Sequence, residues 1–98
     1  MEYNKDNIIK KLKDVKPLLQ EKYGVISVAL FGSYARNEQT KESDIDIMVE
    51  MNTHSFNKYN ELYYFLKNTF EEKEIDMVSK GAIKPNYFER VSQSIIYA

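Results

Sequence analysis

Asp44 and Asp46 stand two apart in the run from Ser43 to Glu50, alternating with aliphatic residues. On an extended strand that alternation sends both carboxylates to one side and Ile45, Ile47 and Val49 to the other. Two like charges held so close repel, and a shared divalent cation is the commonest chemistry that makes such a pair favourable. Ten residues separate Asp44 from Ser33, which with Gly32 follows an apolar run. Glycine there lets backbone approach a ligand closely, and amide groups opening a helical turn favour an anion. Some thirty residues beyond Asp46, Asp76 sits in another short apolar run. Together these features suit metal-assisted chemistry on a phosphate. Alone, each reads as a solvated strand face or an ordinary turn.

The elements that must hold these groups are legible from periodicity. Ile8, Ile9, Leu12, Val15, Leu18 and Leu19 mark one face of a first helix, with Asn4 or Asp6 as its cap and Gly24 as its end. Pro17 inside it predicts a kink or break. Residues 25–31 read as a buried strand and residues 44–50 as a second. Residues 56–70 form a second long helix, with Tyr59, Leu62, Tyr63, Leu66 and Phe70 on one face. Residues 74–79 are a short third strand. Pro85 suits the first turn of a last helix, whose apolar face is Phe88, Val91 and Ile95. The predicted order is α-β-β-α-β-α, with a helical turn in the loop after Ser33. That is a single α/β (α+β) domain over residues 1–98, with a small mixed sheet of about three strands flanked by helices.

A chain of 98 residues predicts one domain with a modest core. An apolar content of 43% fits a folded protein rather than a disordered one. With 14 basic and 15 acidic residues there is no basic excess, which argues against direct nucleic-acid binding. Cysteine is absent and His54 is the single histidine, so thiolate and multi-histidine metal sites are excluded. No apolar run suggests a membrane span and the first residues do not resemble a signal peptide, so a cytoplasmic protein is the default expectation.

The Gly-Ser, ten-residue, Asp-x-Asp pattern with a later lone Asp resembles the nucleotidyltransferase superfamily related to DNA polymerase beta. The stretch GSYARNEQTKESDIDIMV is most similar to the minimal nucleotidyltransferase (MNT) family of prokaryotes, the antitoxins of HEPN/MNT toxin–antitoxin modules. The resemblance runs essentially full length, including the closing IKPNYFERVSQSIIYA. It departs at Asn37, where the family commonly has glycine. Asn is the non-glycine residue that best tolerates a left-handed backbone.

The resemblance implies a Mg2+-dependent enzyme moving AMP from ATP to a tyrosine hydroxyl of a cognate HEPN ribonuclease toxin. Two Mg2+ ions would lie between Asp44, Asp46 and Asp76, and Gly32 and Ser33 would hold the β- and γ-phosphates. Arg36 is a candidate phosphate ligand by its planar donor fork, or equally a surface arginine or an acid's partner. Ser43 is a candidate for phosphate contact, with a turn cap the favoured reading, and Tyr34 packs on the loop or lines the nucleotide site. Lys41 and the run Glu71-Glu72-Lys73-Glu74 read as solvated. His54 has no partner that would make it a base. Two other functions compete: a non-catalytic antitoxin that only covers its toxin, and a small-molecule nucleotidyltransferase of aminoglycoside type. The latter ranks lower because no segment is left over to grip such a substrate. Homo-oligomers and hetero-oligomers with the toxin both remain open.

Overall fold

Asn4 opens the first helix through a reciprocal cap. Its side chain accepts from the Asn7 N–H at 2.9 Å, and the Asn7 side chain accepts from the Asn4 N–H at 2.9 Å. The computed structural model describes residues 2–98, apart from the side chains of Arg90 and Val91. In it α1 runs unbroken over Lys5–Tyr23 and ends at Gly24, left-handed at φ 68. Of the kink or break expected at Pro17, the break does not occur. Pro17 and Lys13 are both exposed, so the carbonyl that loses its helical partner faces water while Leu12 and Leu19 anchor the opposite side.

Four strands form one mixed sheet in the order β3-β2-β1-β4. Strand β1 (Val25–Phe31) runs antiparallel to β2 (Ile45–Met51), and the two are joined through the short helix α2 (Gly32–Ala35) and a polar loop. The helical turn expected after Ser33 is α2 itself, and it begins one residue earlier, at Gly32. Burial of β1 is incomplete: a register shift between Val25 and Ser27 leaves Ile26 53% exposed. From β2 the chain crosses over through α3 (Phe56–Thr69) to β3 (Ile75–Ser79), which therefore pairs parallel to β2. A 3-10 turn (Lys80–Ala82) and α4 (Pro85–Ser92) follow, with Pro85 at the helix start as expected. The added fourth strand, β4 (Ile96–Tyr97), pairs antiparallel with β1 at Ala29 and Leu30. Two residues are too few to leave a period in the sequence.

The sheet divides the core unequally. On one face Val28, Leu30, Ile45, Ile47 and Val49 pack against Ile8, Leu12 and Leu19 of α1 and Leu62 and Leu66 of α3. On the other, Ala29, Phe31 and Met48 meet Val78, Ile83, Phe88 and Ile95. Phe88 thus lies on α4 against the sheet as the sequence predicts, whereas Ile95 reaches the same face from beyond the end of α4 at Ser92 and is not part of that helix. The Val91 side chain is outside the described residues. Asp46 belongs to this second, thinly covered face, because it is the Cα partner of Phe31. The α/β single-domain class holds. Among the described residues no helix is long and apolar enough to cross a membrane.

Candidate active site

The parallel crossover brings the start of β3 beside the start of β2. Asp46 and Asp76 are direct Cα partners across that pair. Neighbours in register on adjacent strands point to the same face, with backbones about 4.8 Å apart. The antiparallel pairing of β1 brings its far end to the same place, since Phe31 pairs with Asp46. Gly32, next along, has φ 76, and a Cβ added to it would collide with the Asp46 carboxylate. Glycine is thus required there twice, by its backbone angle and by the space the carboxylate occupies. Two carboxylates and the opening turn of α2 share one corner of the sheet.

The electrostatics of this corner are those of crowded acids. Burial pushes the Asp46 carboxyl up to about 6, and the charge of Asp76, a hydrogen bond with Asp76 and the charge of Asp44 add to the rise. Arg36 opposes them. Without a cation Asp46 keeps its proton to higher pH than an ordinary carboxylate does, and a divalent cation relieves the same repulsion. Hard carboxylate oxygens suit Mg2+. Among the described residues no three acidic or histidine side chains already converge as a metal cage, so the formed part of the site is the Asp46–Asp76 pair. Asp44 is exposed, one residue ahead of β2, and acts on Asp46 less strongly than Asp76 does.

The other residues singled out by the sequence separate clearly. Ser33 is half-buried in α2, and its carbonyl accepts from the Glu38 N–H at 2.8 Å, which closes the turn. Asn37 is left-handed at φ 59, so it fills the glycine-like position as expected. Ser43 Oγ accepts from the Thr40 N–H at 2.8 Å, the turn cap favoured for it. Arg36 Nε meets Glu38 Oε2 at 3.2 Å, with both side chains substantially exposed. Tyr34 is 2% exposed and packs into the core behind α2. His54 is exposed beyond the far end of β2, where it lines a cavity of about 340 Å3 with Glu50, Phe56, Tyr59 and Ser79. It is therefore remote from Asp46.

Lys73 departs from the solvated reading of its charge run. Its ammonium donates to the carbonyls of Lys41 at 2.8 Å and Ser43 at 2.9 Å, so it is not the solvated lysine its acidic neighbours suggest. Its place three residues before Asp76 was the available signal.

Residues 9–97 match the family described as Nucleotidyltransferase domain. The chain belongs to the nucleotidyltransferase domain family. The expected membership of its minimal nucleotidyltransferase branch, and the expectation of an enzyme, are borne out. This nucleotidyltransferase is 46% identical over 95 residues to MJ0128 of Methanocaldococcus jannaschii, provisionally named a protein adenylyltransferase. That match spans 91% of this chain and 96% of the relative. A solved toxin–antitoxin structure with AMP-PNP aligns at a TM-score of 0.66 and 27% identity, over 97% of this chain and 72% of the other. A second solved complex, tri-AMPylated Shewanella oneidensis HEPN toxin with MNT antitoxin, aligns at 0.57 and 25% identity, over 96% and 67%.

Proposed function

We propose that this nucleotidyltransferase acts in the cytoplasm as one domain over residues 1–98, moving AMP from ATP to a tyrosine hydroxyl of a cognate HEPN toxin. The observation that carries the reading is the Asp46–Asp76 pair in register beside Gly32. The relatives support the acceptor class: one is named for protein adenylylation and one solved complex holds an AMPylated toxin.

Asp46 and Asp76 would hold Mg2+, with the exposed Asp44 as a third ligand. There the cation would supply charge neutralisation for the triphosphate and a lower barrier to loss of the acceptor's proton. Gly32 and Ser33 seat the β- and γ-phosphates on the amides that open α2. Arg36, released from its exposed partner Glu38, adds a phosphate contact, and Ser43 stays nearest as a turn cap. The tyrosine oxygen attacks the α-phosphorus in line, the new P–O bond forms, the bond to pyrophosphate breaks, and the hydroxyl proton passes to water.

The test is to incubate the chain with labelled ATP, Mg2+ and the HEPN protein encoded beside it. Label on a toxin tyrosine is the expected result. An unlabelled, intact toxin with every NTP tried removes this reading. Toxin neutralised equally well by Asp44→Ala/Asp46→Ala supports the binding-only antitoxin, and label on an aminoglycoside but on no protein supports the small-molecule enzyme.

A further inference from the structure

Three segments carry the groups of the site, and one lysine links all three. Lys73 Nζ donates to the carbonyl of Ser43, the residue before Asp44, and to that of Lys41. It also lies 5.6 Å from the ring centroid of Tyr34, which follows Ser33 in α2. Lys73 itself leads into β3 and Asp76. Beside it, the Glu74 carbonyl accepts from the Ile45 N–H at 3.0 Å, joining the starts of β2 and β3.

The loop ahead of Asp44 needs such a hold. Residues 40–42 and 44 are exposed, so little apolar burial fixes them. Among the described residues the loop's other hydrogen bonds run within itself or to α2 and its cap, among them Ser43 N–H to Thr40, Thr40 N–H to Ser43 Oγ, the Thr40 and Ser43 hydroxyls to each other, Arg36 Nε to Glu38, and Glu38 N–H to Ser33. Lys73 supplies the tie to a different element. Its hydrogen bonds are charge-assisted, the stronger kind. Its half-buried stem keeps the ammonium from swinging freely into water.

We propose that Lys73 is a positioning residue for nucleotidyl transfer: its ammonium holds the Lys41–Ser43 backbone against α2 and the start of β3, keeping Asp44 poised beside Asp46 and Asp76. This rests on Asp44 being a metal ligand, as read above.

Lys73→Met keeps the stem and removes the cation, and Lys73→Arg keeps a cation. Three measurements on the full chain decide the matter: amide hydrogen exchange of the metal-free protein, Mn2+ affinity by electron paramagnetic resonance, and the Mg2+ dependence of AMP transfer to the HEPN partner. Lys73→Met is expected to speed exchange in residues 39–44 about tenfold while α1 and α3 keep their protection. It should weaken Mn2+ binding, and raise the Mg2+ needed for half-maximal rate, by about 10–100-fold. The KM for ATP should stay within about threefold, since the phosphate seat on α2 remains, and Lys73→Arg should restore most of each loss. Unchanged exchange in residues 39–44 overturns the proposal. So does faster exchange without a change in metal response, or loss of protection throughout the chain that arginine does not rescue. A wild-type chain silent in AMP transfer counts against the proposed function alone, because exchange and Mn2+ binding still judge Lys73.

Discussion

Asp46 on β2 and Asp76 on β3 are Cα partners across a parallel strand pair, and their mutual repulsion adds to burial in lifting the Asp46 carboxyl to about 6. Nothing local requires this pairing. A strand face of Ser or Thr in place of the acids would fold as well and carry no repulsion. The acids are held together by the register of the sheet, which is set by the apolar residues Ile45, Ile47, Ile75 and Met77 on the opposite face.

Removing either charge should separate stability from activity. Asp46→Asn is expected to raise the melting temperature of the metal-free protein at pH 7.5. After allowance for solvent screening at this half-buried position the gain is about 1 kcal/mol, or about 4–8 °C for a domain of this size. Asp46→Asn and Asp76→Asn should each lower AMP transfer by about 100-fold or more. Differential scanning calorimetry and a labelled-ATP assay measure the two effects. A variant that loses both stability and activity contradicts the assignment of repulsion to this pair.

The pH dependence follows with a definite sign. The unfolded Asp46 carboxyl titrates near about 3.9, and the folded one near about 6. Between those values the folded state binds more protons, so this group's contribution to stability falls as pH rises from about 4 to about 6 and is level above that. Urea unfolding of the metal-free wild type and of Asp46→Asn across that window should show the slope in the first and its loss in the second. With Mg2+ present, acid should weaken metal binding below about pH 6, because proton and cation compete for the same oxygens.

Gly32 and Gly24 make a controlled pair. Both are left-handed, at φ 76 and φ 68, and a Cβ on either would collide with a side chain, that of Asp46 in one case and Asn52 in the other. Alanine at either position should cost about 1–2 kcal/mol of stability. Only Gly32→Ala should also abolish AMP transfer, because only there does the new methyl group displace a carboxylate of the site. Equal activity loss from Gly24→Ala, measured below the melting temperature of both variants, would count against the placement of the site.

Asn37 tests the departure from the family pattern. Asn37→Gly should leave stability within about 0.5 kcal/mol, since relief of its φ of 59 is offset by the greater freedom of unfolded glycine. Asn37→Ala should cost about 1 kcal/mol, because alanine lacks the local side-chain hydrogen bonding that lets asparagine adopt this conformation. AMP transfer per folded molecule should be unchanged in both. Chemical denaturation with an activity assay on the same samples reads out each.

The sequence alone determined what is local. Apolar period and caps placed α1, α3, the three main strands and the start of α4, because a helix or strand face repeats at a spacing the chain itself displays. Asp44, Asp46 and the Gly-Ser turn were visible because strand alternation and a strand-end glycine are also local facts. Two things were decided only in three dimensions. One is the direct pairing of Asp76 with Asp46, thirty residues away in the chain: the resemblance groups the two acids, but that they are Cα partners depends on the crossover through α3 and the register of β2 on β3. The other is Lys73, whose charged neighbours suggest solvent and whose carbonyl partners lie some thirty residues earlier. Backbone carbonyls leave no mark in side-chain chemistry, so a lysine that binds them cannot be told from a solvated one until the chain has folded.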